Sequence, residues 1–156
     1  MDGYVLSVER VIPAPPARVF DCLADPRQHC RFDGSGMVQS TTTASPRRLA
    51  LGSEFHMAMK AIGVPYSTTS TVTEFDENRR IAWKTGPTGR PGRLLAGRVW
   101  RYELEPVADG TRVRETWDIS EDHQRWLLKL GGFYPGKTRR DMERTLERLG
   151  RLAAGA

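Results

Sequence analysis

Hydrophobic and polar positions alternate along several short stretches of this chain, and a period of two residues is typical of β-strands with one buried face. The first stretch covers residues 4–12 and ends at Pro13. Six further stretches cover residues 37–43, 54–60, 66–75, 79–85, 98–106 and 111–119. Short turn signals such as Asp109-Gly110 separate them, which favours antiparallel hairpins over crossover helices. The pattern therefore predicts a seven-stranded antiparallel sheet.

Two short helices are predicted directly after the first strand. The first covers residues 16–24, and its apolar positions are Val19, Phe20 and Leu23. Asp25-Pro26 indicates a second start, because aspartate caps free backbone N–H groups and proline fits the first helical position. This second helix is expected to end near Phe32, before Asp33-Gly34.

The end of the chain is predicted to be helical as well. Ser120 is suited to cap a helix that extends to about Leu130. A longer helix covers residues 137–153, with an apolar stripe of Met142, Leu146, Leu149 and Leu152 or Ala153. The predicted architecture is α+β: a curved antiparallel sheet of seven strands grips this long helix. Residues 1–156 are expected to form a single domain.

Strand alternation assigns most aromatic side chains to the face that the long helix covers. The inward set contains Phe55, Met57, Met59, Ile81, Trp83, Trp100, Tyr102, Leu104, Val113, Glu115, Trp117 and Ile119. Such a set forms either a solid aromatic core or the wall of a ligand pocket. Because one helix cannot fill the concavity of so large a sheet, we favour the pocket.

Glu115 is the charged member of the inward set, in register with Val113 and Trp117. An unpaired carboxylate is unfavourable in such a place. Either an arginine pairs with Glu115, or Glu115 lies in a wet pocket with a raised pKa and can act as an acid or a base. Tyr102 is the candidate hydrogen-bond donor in that case. His56 falls on the opposite face and is expected at the surface.

No metal or cofactor site is expected from the motifs. The side chains that could bind a metal are scattered, namely His29, Cys22, Cys30, His56 and His123. They show none of the spacings of metal sites. The chain also lacks a P-loop and a nucleophile elbow, so nucleotide chemistry and serine hydrolysis have no sequence support.

The net charge of +5 raises the question of nucleic acid. The arginines of the last helix alternate with acidic residues, which is typical of a solvated surface, so nucleic acid is not expected as a partner. Apolar runs are far shorter than the roughly 20 residues that cross a bilayer, so no membrane insertion is expected. No signal peptide pattern begins the sequence, and a cytoplasmic location is the default expectation.

Several longer stretches resemble the START/polyketide cyclase superfamily, often called SRPBCC, which has the helix-grip fold. They are VERVIPAPPARVFDCLADPRQH, LGSEF, VTEFDENRRIAWKTG and GRVWRYELEPVADGTRVRETWDIS. The resemblance implies a deep apolar cavity under the C-terminal helix. The family includes lipid and sterol carriers, hormone receptors, aromatase/cyclases and chaperone activators. It has no invariant catalytic set to transfer to positions here.

Three functions are compatible with these patterns. The first is binding of a hydrophobic small molecule: a lipid, an isoprenoid or an aromatic polyketide-like compound. Its candidate ligand-binding residues are Phe55, Met57, Met59, Trp83, Trp100, Tyr102, Glu115, Trp117 and Phe133. The second is a polyketide cyclase or dehydratase that uses Glu115 as acid or base, with Tyr102 as donor. The third is a protein-interaction module, which would expose an apolar patch beside the sheet edge. The chain is expected to be a monomer or a homodimer.

Two segments rich in glycine and proline are candidates for a gate. They are residues 86–97 and the hinge from Gly131-Gly132 to Pro135-Gly136. Few apolar side chains hold either segment, which is typical of low local stability. We expect them to meet around one entrance, with Phe133 and Tyr134 at its rim. Arg90 and Arg93 would there meet an anionic head group.

Overall fold

The structure, a computed structural model, describes residues 3–42, 45–89, 97–130 and 135–155. The strands are β1 Val5–Ile12, β2 Val38–Thr41, β3 Glu54–Ala61, β4 Val64–Asp76, β5 Arg80–Pro87, β6 Arg98–Val107 and β7 Gly110–Asp118. The helices are α1 Pro16–Ala24, α2 His29–Phe32, α3 Arg125–Leu130 and α4 Gly136–Ala153. A 3₁₀ turn, Pro26–Gln28, joins α1 to α2.

The seven strands form one curved antiparallel sheet in the order β1-β7-β6-β5-β4-β3-β2, which confirms the predicted α+β architecture. From β2 to β7, each strand pairs with the next one along the chain, which makes a meander. Strand β7 also pairs with β1, so β1 and β2 are the edges of the sheet. Strands β3, β5 and β7 end at one end of the sheet, and β4 and β6 begin there. We call this end, with the start of α4, the mouth end.

Helix α4 covers the sheet beside β1 with the predicted stripe. Met142, Leu146, Leu149 and Ala153 are buried, whereas Leu152 is half-buried. Helices α1 and α2 pack on the same side, because Phe20 meets the ring of Phe75 and His29 meets the ring of Trp83. The long helix is therefore not the sole cover, and the short helices fill part of the space that the sequence assigns to a cavity.

The predicted start of the helix before Leu130 is wrong. Helix α3 begins at Arg125, not after Ser120. The Ser120 hydroxyl donates to the carboxylate of Asp118 instead of capping a helix. The capping acceptor is the buried Asp122, whose carboxylate accepts the backbone N–H of Gln124 at 2.7 Å. Serine and aspartate are both favoured N-cap residues, and here the buried Asp122 takes that position instead of Ser120.

The chain between α2 and β2 touches the middle of α4 at Gly34. The Gly34 N–H donates to Thr145 Oγ1 at 2.9 Å, and the Arg148 guanidinium donates to the carbonyl oxygen of Asp33 at 2.6 Å. A Cβ atom on Gly34 would lie 2.2 Å from the carbonyl oxygen of Asp141. The backbone of α4 leaves no room for a side chain at this crossing, so glycine sets how closely the segment between α2 and β2 approaches α4.

We expect Gly34→Ala to lower the free energy of unfolding by about 2 kcal/mol or more, since the new methyl group meets helix backbone that cannot move aside cheaply. Urea denaturation followed by circular dichroism measures the change. Gly136→Ala is the matched control, because among the described residues its Cβ would meet the end of the Arg140 side chain, at 3.6 Å, and no backbone. Equal stability of the two variants would contradict the close approach.

Candidate functional site

The inner face of the sheet carries two neighbouring rows of cross-strand partners. The first row runs Val72, Trp83, Trp100, Trp117 and Leu6. The second row runs Ile81, Tyr102, Glu115 and Val8. The inward register predicted for the tryptophans, Tyr102 and Glu115 is therefore the observed one. The rings of Trp100 and Trp117 stack at 5.7 Å, and those of Trp83 and Tyr102 lie 5.6 Å apart.

Glu115 is 1% exposed, and its partner is a tyrosine rather than an arginine. The Tyr102 hydroxyl donates to Glu115 Oε1 at 2.9 Å. Among the described residues, Glu115 Oε2 is buried without a hydrogen-bond partner. A buried polar oxygen in that state costs on the order of 1–3 kcal/mol when nothing else meets it. One oxygen of the carboxyl group is thus fixed, and the other is available.

Burial determines the protonation of this pair. Burial raises the pKa of Glu115 from its usual 4.5 to about 8, although the hydrogen bond from Tyr102 acts in the opposite direction. Burial, and then the nearby Glu115, raise the pKa of Tyr102 well above its usual value of 10. At neutral pH both groups therefore hold their protons, and Glu115 is a neutral carboxylic acid inside an aromatic wall.

His29 is a member of this wall that the sequence analysis missed. Its ring stacks on Trp83 at 4.9 Å and meets the edge of Phe55 at 5.4 Å. Its Nε2–H donates to the carbonyl oxygen of Leu23 at 2.9 Å. Burial lowers the pKa of His29 from 6.5 to about 4, so the ring is neutral at pH 7. The interior thus contains a neutral base and a neutral acid in one aromatic cluster.

A polar row lies one step nearer the mouth end. Ser70 pairs with Thr85 across β4 and β5, and Thr85 pairs with Arg98 on β6. The Ser70 and Thr85 hydroxyls are 2.8 Å apart. Arg98 donates to Asp122 at 2.9 Å and to Gln124 at 3.0 Å, which ties the start of β6 to the segment before α3. From the apolar base of the sheet to the mouth end, the inner face changes from aliphatic to aromatic to polar.

The remaining candidate residues differ in burial. Phe55 and Met57 are buried, whereas Met59 and Trp100 are half-buried, so the wall opens toward the mouth end. His56 faces away from the interior as predicted, with Nδ1 at 2.9 Å from Thr69 Oγ1. Phe133 and Tyr134 lie outside the described residues, as do most of the two segments predicted to form a gate, so the gate stays a prediction.

The described ranges can also be compared with what a metal site, a membrane-spanning helix or a surface pocket requires. No three His, Cys, Asp or Glu side chains come together there as metal ligands would. None of the helices in those ranges has both the length and the apolar character needed to span a bilayer. A shallow, open depression lies on the outer surface, lined by Asp21, Cys22, Asp25, Gln28, Arg31 and Leu152. It does not reach the aromatic wall.

Comparison with known families and sequences finds relatives of this chain. The family described as "Polyketide cyclase / dehydrase and lipid transport" matches residues 5–154. The uncharacterized protein Rv0088 of Mycobacterium tuberculosis is 39% identical over 121 residues, which are 77% of this chain and 48% of that protein. The chain spans about half the length of the curated relatives it matches.

Solved structures share the fold at low identity. Protein Ms6760 from Mycobacterium smegmatis aligns with a TM-score of 0.72 at 16% identity, over 99% of this chain and 93% of that chain. Protein CV1439 from Chromobacterium violaceum aligns with a TM-score of 0.70 at 15% identity, over 96% of this chain and 97% of that one. These likenesses extend to the fold alone, and they confirm the helix-grip architecture.

The raised pKa of Glu115 predicts a loss of stability as pH rises from about 4.5 to about 8. Between pH 4.5 and about 8 the unfolded chain releases this proton while the folded chain keeps it, so the free energy of unfolding falls as pH rises. The limiting slope is about 1.4 kcal/mol per pH unit. We expect the difference in unfolding free energy between wild type and Glu115→Gln to follow this fall. The exposed Glu105→Gln is the control, and a pH-independent difference for Glu115→Gln would contradict the buried neutral acid.

The lowered pKa of His29 predicts the opposite slope at acid pH. Between about pH 4 and 6.5 the unfolded chain binds a proton that the folded chain rejects, so the free energy of unfolding falls as pH drops through this range. His29→Gln keeps a donor for the Leu23 carbonyl and removes the titration. Urea titrations at several pH values should show that the free energy of unfolding of His29→Gln falls less steeply with decreasing pH than that of wild type. If the free energy of unfolding of the variant and of wild type fell equally with decreasing pH, His29 would be accessible to protons in the folded chain.

Proposed function

We propose that this chain, which belongs to the polyketide cyclase / dehydrase and lipid transport family, binds a hydrophobic small molecule between its sheet and the C-terminal helix. The observation that carries the proposal is the aromatic wall around Glu115, whose Oε2 has no partner among the described residues. An apolar ligand with one carbonyl or hydroxyl oxygen would cover the rings and meet that carboxyl group. Lipids, isoprenoids and aromatic polyketide-like compounds fit this description.

The gradient along the inner face supports an orientation for the ligand. The aliphatic base and the ring of His29 fill the deep end, so the ligand body would lie against the half-buried Trp100 and Met59. The polar row of Ser70, Thr85 and Arg98 lies nearer the mouth end. A ligand with a second polar group at its other end would direct that group there, because burying it among the tryptophans without a partner would cost its hydrogen bonds with water.

Native mass spectrometry of freshly purified protein should detect a bound mass that organic extraction removes. Quenching of tryptophan fluorescence then measures the affinity for three probes: palmitic acid, farnesol and anthraquinone. We expect Met59→Glu to weaken the best probe at least about ten-fold, since it places a charge on the apolar wall. Ala58→Glu, on the outer face of the same strand, is the matched control. Binding that both variants leave intact, or no binding of any probe, would contradict the site.

A second function, a cyclase or dehydratase, is favoured by one specific observation. Glu115 holds its proton up to about pH 8 and is in contact with the Tyr102 hydroxyl. A neutral carboxylic acid in an apolar site can protonate the hydroxyl of a β-hydroxy ketone as its C–O bond breaks. The carboxylate that remains can take the α-proton, so that water and a conjugated enone form and the acid is regenerated. Tyr102 would then hold the carboxyl group in place and would not itself contact the substrate.

The enzyme proposal predicts that Glu115→Gln loses roughly 10²–10⁴-fold in rate while the affinity for the probes changes little. Formation of a conjugated enone from a β-hydroxy ketone gives an absorbance assay. Activity should also fall above pH 8, as Glu115 loses its proton. Undiminished turnover by Glu115→Gln would exclude this role and leave the binding proposal untouched.

A further inference from the structure

The hairpin between β3 and β4 protrudes from the mouth end with an apolar tip. Pairing between β4 and β5 begins at Thr68 opposite Pro87, and the Thr88 N–H donates to the Ser67 carbonyl oxygen at 3.1 Å. Among the described residues, Val64–Tyr66 therefore pair with β3 alone. Three residues at about 3.4 Å each make a projection of about 10 Å. Ile62 at its tip is 90% exposed and Val64 is 63% exposed. Exposed aliphatic side chains at the end of a projecting hairpin indicate a contact with something apolar.

The backbone at the tip makes isoleucine an unusual choice. Ile62 has φ +51° and Gly63 has φ +76°, and tight hairpin turns of this kind favour asparagine or glycine. A β-branched residue with positive φ is sterically strained. The chain therefore accepts strain to hold an aliphatic group in solvent, and residues held in that way often serve a contact.

A second apolar group lies at the same end of the sheet. In helix α3, which follows β7, Leu128 packs on the core while Trp126, Leu127 and Leu130 are exposed, Leu130 by 75%. Strand β7 is three strands away from β4, a distance of about 14 Å at the usual spacing. The two apolar groups thus lie on either side of the mouth end.

Cations accompany both groups. Lys60 is exposed beside the hairpin tip, and Arg125 is exposed on α3. Lys129 and Arg125 lie over the ring of Tyr4 at 4.5 and 5.7 Å. Glu121 is also at this end, with Lys84 as its ion-pair partner at 3.6 Å. Apolar side chains, a tryptophan and flanking cations are the combination that favours the interface of an anionic membrane.

The hairpin also connects the tip with the interior. Along its inner face Phe55 and Met57 are buried, and Met59 is half-buried opposite Tyr66. Val64, opposite Ala61, follows at the tip. One continuous apolar track therefore leads from the exposed tip to the aromatic wall.

We propose that the mouth end is a docking surface for an anionic lipid bilayer, with the β3–β4 hairpin tip and helix α3 entering the interface. The chain would rest on the membrane surface without spanning it. This proposal rests on the positions of the exposed apolar residues and their neighbouring cations, and it does not depend on what the interior binds.

Flotation with vesicles tests the docking surface in the full chain. We expect binding to vesicles of phosphatidylcholine with one third phosphatidylglycerol, weaker binding to phosphatidylcholine alone, and a decrease at high salt because screening removes the cation contribution. Ile62→Asn should weaken binding at least about ten-fold, since it removes the aliphatic anchor. It should leave the melting temperature equal or higher, because asparagine tolerates positive φ.

Two further variants make the result decisive. Leu130→Gln on α3 should weaken vesicle binding in the same way, whereas Leu51→Asn should not, because that exposed leucine lies before β3 at the opposite end of the sheet. The proposal is overturned if wild type binds no vesicle, or if Ile62→Asn and Leu130→Gln bind like wild type. It is also overturned if light scattering shows a dimer that both variants convert to a monomer, because the surface would then contact a second copy.

Discussion

The hydrogen bond from Tyr102 to Glu115 is the constraint on which the interior depends. It joins two strands across the middle of the inner face and satisfies one oxygen of a carboxyl group that is cut off from water. The surrounding rings, which exclude water, keep the proton on Glu115 at neutral pH. A neutral acid can donate as well as accept a hydrogen bond, so an apolar interior gains one polar contact without a buried charge.

The sequence predicted the inner face because strand alternation is a local property. Trp83, Trp100, Trp117 and Glu115 each follow from a period of two within one strand. The pairing of Tyr102 with Glu115 could have been derived as well. Val107 pairs with Gly110 at the tight turn, and each step back along β6 then matches one step forward along β7. The turn signal at Asp109-Gly110 is thus enough to set Tyr102 opposite Glu115.

His29 could not be predicted from periodicity. Helix α2 has four residues, too few to define a face, and the contacts of His29 with Phe55 and Trp83 bridge distant parts of the chain. Such contacts arise only when the short helices fold over the sheet. The start of α3 was misplaced for a related reason, because Asp122 becomes the cap through its buried contact with Arg98. The crossing of Gly34 over α4 likewise depends on tertiary packing that local patterns do not contain.

Direct titration of the Glu115 carboxyl group tests the central claim, that the aromatic interior holds a neutral acid. Carbon-13 labelling of glutamate side chains and assignment through Glu115→Gln would let NMR follow this carboxyl shift with pH. The account predicts a midpoint near pH 8, well above that of the exposed glutamates. A midpoint near 4.5 would contradict it, because the carboxyl group would then be in contact with water or with a cation.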